Sequence, residues 1–277
     1  MFVAREGARM KYWRSLFVLV LATAATVWGQ PLELNLRSRV EAFKGSGQWS
    51  AVEFEYELPT ARAALVICDM WDKHWCQGAT ARVGDLVRKA VPVIDRLRDR
   101  GVLVIHAPSD TMDYYSKAPQ RLAILQIPRV RLPSEIDLSD PALPVDSSDG
   151  GCDTPGDREH RVWTREHPGI PISDKDLISD NGDEVYNALR SRGITHLLVM
   201  GVHTNMCILN RSFAIRRMTR LGIRCILIRD LTDAMYDPQD PPRVSHDQGT
   251  ELVIEHIEKY WSPTVLSTDL LRSAKGD

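Results

Sequence analysis

The chain has 277 residues and a formal net charge of −2. That length suits one α/β domain with a sizeable core. Near-neutral charge without a basic stripe excludes nucleic acid as the main partner.

Arg5, Arg9, Lys11 and Arg14 precede an uncharged stretch from Ser15 to Gly29. Its apolar centre, Leu16 to Val27, has the length of a signal-peptide core and is short for a membrane span. Val27-Trp28-Gly29 has the look of a cleavage site, so residues 1–29 are expected to be an export signal. The body of the protein is then expected in the periplasm or outside the cell, with no stable membrane insertion after cleavage. An uncleaved anchor is the alternative.

Residues 30–60 read as an N-terminal extension without strong periodicity. The first clear strand is Ala63 to Cys68, ending on Asp69. Leu86, Val87, Ala90, Val93, Ile94 and Leu97 recur at helical spacing, and Arg100-Gly101 closes that helix. Val102 to Ile105 is the second buried strand. Residues 128–161, rich in Pro, Asp, Ser and Gly, read as a lid, a binding loop or a disordered stretch. Val162 to Thr164 reads as a short strand, and Asp183 to Arg192 as a helix stopped by Gly193.

Leu197 to Met200 is an apolar run suited to a strand buried on both faces. Gly201 permits an abrupt turn, and Thr204 and Asn205 are good N-cap residues. Ile208, Leu209, Phe213, Ile215 and Met218 then follow a helical pattern that ends at Leu221-Gly222, with Arg211, Arg216, Arg217 and Arg220 between them. Cys207 falls in the first turn of that helix. A helix start favours thiolate, and the end of a strand in an open parallel sheet is where ligands bind. Cys207 is therefore a candidate nucleophile; the plainer reading is a small buried residue covering the strand end.

Arg224 to Arg229 is another strand, and Ser245 to Gln248 has the form of a capping box opening a last long helix. Thr264 to Leu266 reads as an edge strand. Alternating strands and helices predict a three-layer α/β/α architecture with a mainly parallel sheet. No phosphate-binding glycine loop is present. Of five cysteines, Cys68 and Cys225 lie in strand patterns as buried thiols, while Cys76 and Cys152 lie in loop-like sequence and are the candidates for a disulfide.

Two strand ends thus carry reactive groups, Asp69 and Cys207. A thiol needs a base, and a carboxylate in a semi-buried cleft can serve. A loop cap is the plain alternative for Asp69. Ala64 to Met70 resembles the opening strand of the isochorismatase-like cysteine hydrolases, the group that includes nicotinamidases. Gly201-Val202-His203-Thr204-Asn205-Met206-Cys207 resembles their nucleophile motif. The resemblance spans residues 61–270 and implies the isochorismatase-like hydrolase fold with a Cys–Asp–Lys triad. Cys207 would attack a carbonyl carbon, and Asp69 would take and later deliver the proton. It also implies a non-proline cis peptide between Val202 and His203, and an oxyanion hole from the N–H groups of His203 and Cys207.

At the lysine's place the sequence departs from the family. Arg165 is the best match by position, and Lys175 a poorer one. Arg165 would hold a positive charge beside Asp69 and Cys207 without shuttling a proton. A surface salt bridge to Glu166 is the competing reading. The Asp-x-His metal pattern of some nicotinamidases is missing after the second strand, and Asp72-Lys73-His74 sits elsewhere, so no metal and no cofactor are expected. Trp71, His74 and Tyr115, with Trp75 and Tyr114, either line a small-molecule pocket or pack loops onto the sheet.

Three functions follow from the resemblance. The first is an exported hydrolase of a small amide or related C–N bond. The second is vinyl ether hydrolysis with Asp69 as acid. The third is a non-catalytic ligand-binding protein that lost the lysine. A small-molecule substrate and a homo-oligomer, common in the family, are the expected partners.

Overall fold

A computed structural model describes residues 30–272. The expected export signal lies outside these residues. Eight strands make one sheet: β1 (Leu32–Glu41), β2 (Trp49–Leu58), β3 (Ala63–Cys68), β4 (Leu103–Ala107), β5 (Leu177–Ile178), β6 (His196–Val202), β7 (Arg224–Asp233) and β8 (Thr264–Val265). Their order is β2-β1-β8-β7-β6-β3-β4-β5. From β8 to β5 the pairing is parallel. The helices are α1 (Gln77–Asp99), α2 (Pro119–Leu125), α3 (Gly182–Ser191), α4 (Cys207–Asn210), α5 (Ile215–Arg220), α6 (His246–Tyr260) and α7 (Ser267–Leu271).

Residue alternation along the strands divides the core into two layers. On β3, Ala64, Val66 and Cys68 face the apolar sides of α2 to α6. Ala63, Leu65 and Ile67 face α1 and α7. This is the three-layer α/β/α arrangement with a mainly parallel sheet, and it is why β3 and β6 read as unbroken apolar runs.

Three elements differ from the sequence reading. Residues 32–58 form a long antiparallel hairpin, paired from Leu32↔Leu58 to Glu41↔Trp49. Leu32, Leu34 and Leu36 point into the core while Glu33 and Asn35 point out. The period-2 pattern was present in the sequence, masked further on by Arg37 and Arg39, which pair with carboxylates of α6. β8 is not an edge strand, because β1 pairs with it and extends the sheet. Residues 162–164 form no strand; only an isolated bridge joins Trp71 and Glu166.

The long segment 128–161 has neither helix nor strand, yet it is fixed to the domain. Val130, Leu132, Leu138 and Leu143 pack on the core layer, and a disulfide joins Cys152 to Cys76 at the start of α1. At the end of β6, Gly201 has φ 115, and an added Cβ would stand 2.0 Å from the Cys68 carbonyl oxygen. Only glycine permits β6 and β3 to approach this closely while the chain turns into the nucleophile segment.

Candidate active site

The expected single helix after β6 is broken. α4 ends at Asn210, and Arg211 is extended with φ −60 and ψ 146. The break is imposed by packing. Gly182, the first residue of α3, donates from its N–H to Ser212 Oγ at 2.9 Å, and a Cβ there would stand 2.1 Å from the Ser212 carbonyl oxygen. No Gly or Pro marks this break in the sequence. Its consequence is that Arg211 reaches the site.

Asp69 follows β3 at φ 49, a bend that a non-glycine residue adopts rarely. Its carboxylate is fully buried. Oδ1 accepts the Ser109 N–H at 2.7 Å and Oδ2 accepts Arg211 Nε at 2.8 Å, with the Cys207 thiol close by. Burial raises the Asp69 pKa above the usual carboxylate range, and the Arg211 charge with these hydrogen bonds opposes the rise. The pair is charge-assisted and partly open, since Arg211 is 32% exposed.

Arg165 was expected to supply this positive charge, and its guanidinium lies elsewhere. Its Nη1 donates to the Tyr114 hydroxyl at 3.1 Å, and its guanidinium carbon sits 5.7 Å from the Tyr114 ring centre. Its backbone carbonyl holds the Asp72 N–H at 3.0 Å. Nor does Arg165 pair with Glu166, which is buried against the His106 imidazole at 2.7 Å. The cation at the site is Arg211, four residues after Cys207. The i,i+4 spacing from the nucleophile was the one sequence signal for it, and as part of an arginine-rich helix face it was unremarkable.

The Cys207 thiol is half-buried. Its pKa is raised, first by burial and then by the Asp69 charge, with Arg211 and the His203 N–H opposing. The thiolate expected from a helix start is therefore not the resting form. A single turn of helix contributes at most about 0.3–1 kcal/mol, too little against burial beside a carboxylate. The resting sulfur is a thiol beside the Asp69 carboxyl group, with Arg211 on Oδ2.

The Val202–His203 peptide is cis. The following turn is tied to β7: Thr204 N–H donates to Asp233 O at 2.9 Å, and the Asn205 amide both donates to Met235 O and accepts from Met235 N. The His203 carbonyl oxygen accepts the Met206 and Ile208 N–H groups at 3.0 and 3.2 Å, which folds the nucleophile turn back on itself. The His203 imidazole is buried and held neutral, its pKa lowered to about 3 by burial and then by neighbouring cationic groups.

Trp71, His74 and Tyr115 fall into two groups. The Trp71 ring stacks on Trp163 at 4.5 Å, Trp163 lies over His74 at 5.8 Å, and His74 meets His203 edge-on at 5.0 Å. This aromatic wall joins the site through His203; Trp163 was missed because its segment read as a strand. Tyr115 is turned away, its hydroxyl accepting the Glu166 N–H at 3.0 Å. Asp72 and His74 do not converge: Asp72 accepts from Thr164, and His74 Nδ1 accepts the Cys76 N–H. Among the described residues the one grouping with metal-ligand spacing is Cys76, Cys152 and Asp157, and its sulfurs are bonded to each other.

A buried acid against a thiol at neighbouring strand ends of a parallel sheet defines a class of hydrolase. The family model described as "Isochorismatase domain" matches residues 63–240, well over half the chain, and the protein belongs to that family. No curated protein matches the chain. Among solved structures, a cysteine hydrolase from Pseudomonas syringae pv. phaseolicola 1448A is similar, at 17% identity and TM-score 0.49, covering 77% of this chain and 92% of that one. An isochorismatase from Pseudomonas putida KT2440 is similar at 15% identity and TM-score 0.46, covering 76% and 90%. An N-carbamoylsarcosine amidase from Thermoplasma acidophilum is similar at 16% identity and TM-score 0.39, covering 74% and 96%. None of these likenesses bears on substrate.

Proposed function

We propose that the protein is an exported cysteine hydrolase that cleaves a small amide or related C–N bond. One observation carries this reading: Arg211 Nε holds the buried Asp69 carboxylate at 2.8 Å, and that carboxylate and the Cys207 thiol stand close enough to shift each other's titration. As a substrate carbonyl arrives, Asp69 takes the thiol proton and sulfur attacks the carbonyl carbon. The N–H groups of His203 and Cys207 receive the developing oxyanion; a donor in this role is worth about 100- to 1000-fold in rate. Asp69 returns the proton to the leaving nitrogen, and water, deprotonated by Asp69, releases the acyl group from sulfur. Arg211 keeps its proton throughout and stabilises the single negative charge that moves between oxygen and sulfur. In this reading Arg211 takes the lysine's place, which removes the ground for a non-catalytic binding protein.

The raised Asp69 pKa also suits an acid that protonates a vinyl ether. The two readings part at Cys207. Cys207→Ala is expected to abolish hydrolysis across a panel of small amides. An alanine variant that keeps full activity rejects the amidase. Export is supported by residues 1–29 and by the Cys76–Cys152 disulfide, a bond that persists in oxidising compartments. Trp71, Trp163 and His74 form the substrate wall in this reading.

A further inference from the structure

Cys68 is a second thiol that the hydrolytic cycle does not use. It is fully buried at the end of β3, next in sequence to Asp69. Its Sγ donates to the Val202 carbonyl oxygen at 3.8 Å. The turn that carries Cys207 folds back on the next residue, His203, whose carbonyl oxygen accepts the Met206 and Ile208 N–H groups at 3.0 and 3.2 Å. Both cysteines therefore lie beside the Val202–His203 peptide, Cys68 on its carbonyl oxygen and Cys207 in the turn that follows it. Both side chains belong to the same core layer, Cys68 inside it and Cys207 packed on its rim. The Asp69 carboxylate raises the pKa of both thiols, after the burial that raises each of them first. The site thus holds a partly open thiol beside a base, with a shielded thiol behind it.

We propose that Cys68 is a resolving cysteine for Cys207, and that the pair forms a reversible disulfide when the protein meets a peroxide. In the first step Asp69 takes the Cys207 proton and sulfur attacks a peroxide oxygen. The S–O bond forms and the O–O bond breaks. The departing oxygen leaves as water or an alcohol with the proton from Asp69, and Cys207 becomes a sulfenic acid. In the second step Cys68 sulfur attacks Cys207 sulfur. The S–S bond forms, the S–O bond breaks, and the oxygen leaves as water with the Cys68 proton. Two thiols lose two electrons and one peroxide gains them. The product requires the sulfurs to close to about 2.05 Å. Cys207, on a one-turn helix and half-open, supplies that movement, while Cys68 is fixed in its strand. The disulfide withdraws the nucleophile from Asp69, protects it from irreversible oxidation and is reopened by a dithiol.

The test is peptide mapping by mass spectrometry of the whole protein after hydrogen peroxide, with iodoacetamide blocking the remaining thiols. Cys225 is the internal control: it is equally buried, but on β7 with its sulfur on the Ile215 carbonyl at 3.9 Å. The expected result is a cross-linked Cys68–Cys207 peptide pair, Cys225 still a thiol, and Cys207 labelling restored by dithiothreitol. In Cys68→Ala, Cys207 is expected to pass to sulfinic acid, with no restoration. Wild-type protein carrying a Cys207 sulfinate and a free Cys68 overturns the proposal, whether or not amides prove to be substrates. If Cys68→Ala does not fold, the wild-type map alone decides, because it needs no variant.

Discussion

Replacing Arg211 by Met keeps the stem of the side chain and removes its charge. The guanidinium and the Asp69 carboxylate touch at 2.8 Å, so their charge centres lie roughly 4 Å apart. Two unit charges at that distance interact by about 4 kcal/mol at an effective dielectric of about 20. Arg211 is 32% exposed, so water takes a share of this; about 2 kcal/mol is a fair remainder, or roughly 1.5 pK units. One negative charge is shared by Asp69 and Cys207 whether the proton rests on sulfur or on oxygen. Losing Arg211 therefore favours the state with both groups protonated, and the acid limb of Cys207 reactivity moves to higher pH. The assay is the rate of iodoacetamide labelling of Cys207 from pH 4 to 9. Arg211→Met is expected to shift the acid limb up by about 1–2 pH units and to slow labelling near neutrality by about tenfold or more. Arg165→Met, whose guanidinium lies on Tyr114, is expected to leave the profile in place. A profile shifted by Arg165→Met and untouched by Arg211→Met refutes the assignment.

Gly201→Ala is expected to cost several kcal/mol, because its Cβ would meet the Cys68 carbonyl oxygen at 2.0 Å and its φ is 115; an unchanged urea midpoint contradicts this. His106 is fully buried between Glu166 and Asp176, and these carboxylates raise its pKa to about 9 against the burial that lowers it. A raised value stabilises the fold fully below the unfolded pKa of about 6.5 and loses that stabilisation as pH climbs through about 9. Thermal melts are expected to fall across that window, and His106→Phe is expected to remove the slope while costing about 3–5 kcal/mol by stranding Glu166. A wild-type melting temperature flat from pH 6.5 to 9.5 shows the imidazole to be neutral. Cys152→Ser opens a loop closed over a sequence separation of 76, for which the chain-entropy estimate is about 4 kcal/mol. Urea unfolding of oxidised wild type against the variant reads this directly, and a difference under about 1 kcal/mol contradicts it.

The parts of the site that were legible in the sequence are those set by local pattern. β3 and β6 announce themselves because a strand buried on both faces leaves a continuous apolar run, and Asp69 and Cys207 are found because each follows such a run. The Ser245 capping box is legible for the same reason: the Ser245 hydroxyl and the Gln248 side chain satisfy each other's backbone N–H groups within four residues. The hairpin at 32–58 is legible only at its start, as alternating leucines, before Arg37 and Arg39 break the pattern. Arg211 is different in kind. Its place depends on a helix interrupted by the start of α3, a contact between residues 182 and 212 that no local pattern records. A family rule that expects a cation at one place in the chain looks toward Arg165, yet electrostatics asks only that a cation stand beside the carboxylate. Chain position is one way to meet that demand, and here a broken helix meets it from the opposite side of the nucleophile. The Glu166–His106 pair belongs to the same argument. Where a lysine was expected, Glu166 is buried and already partnered by His106, and the positive charge needed at Asp69 comes from Arg211 alone among its described ion pairs.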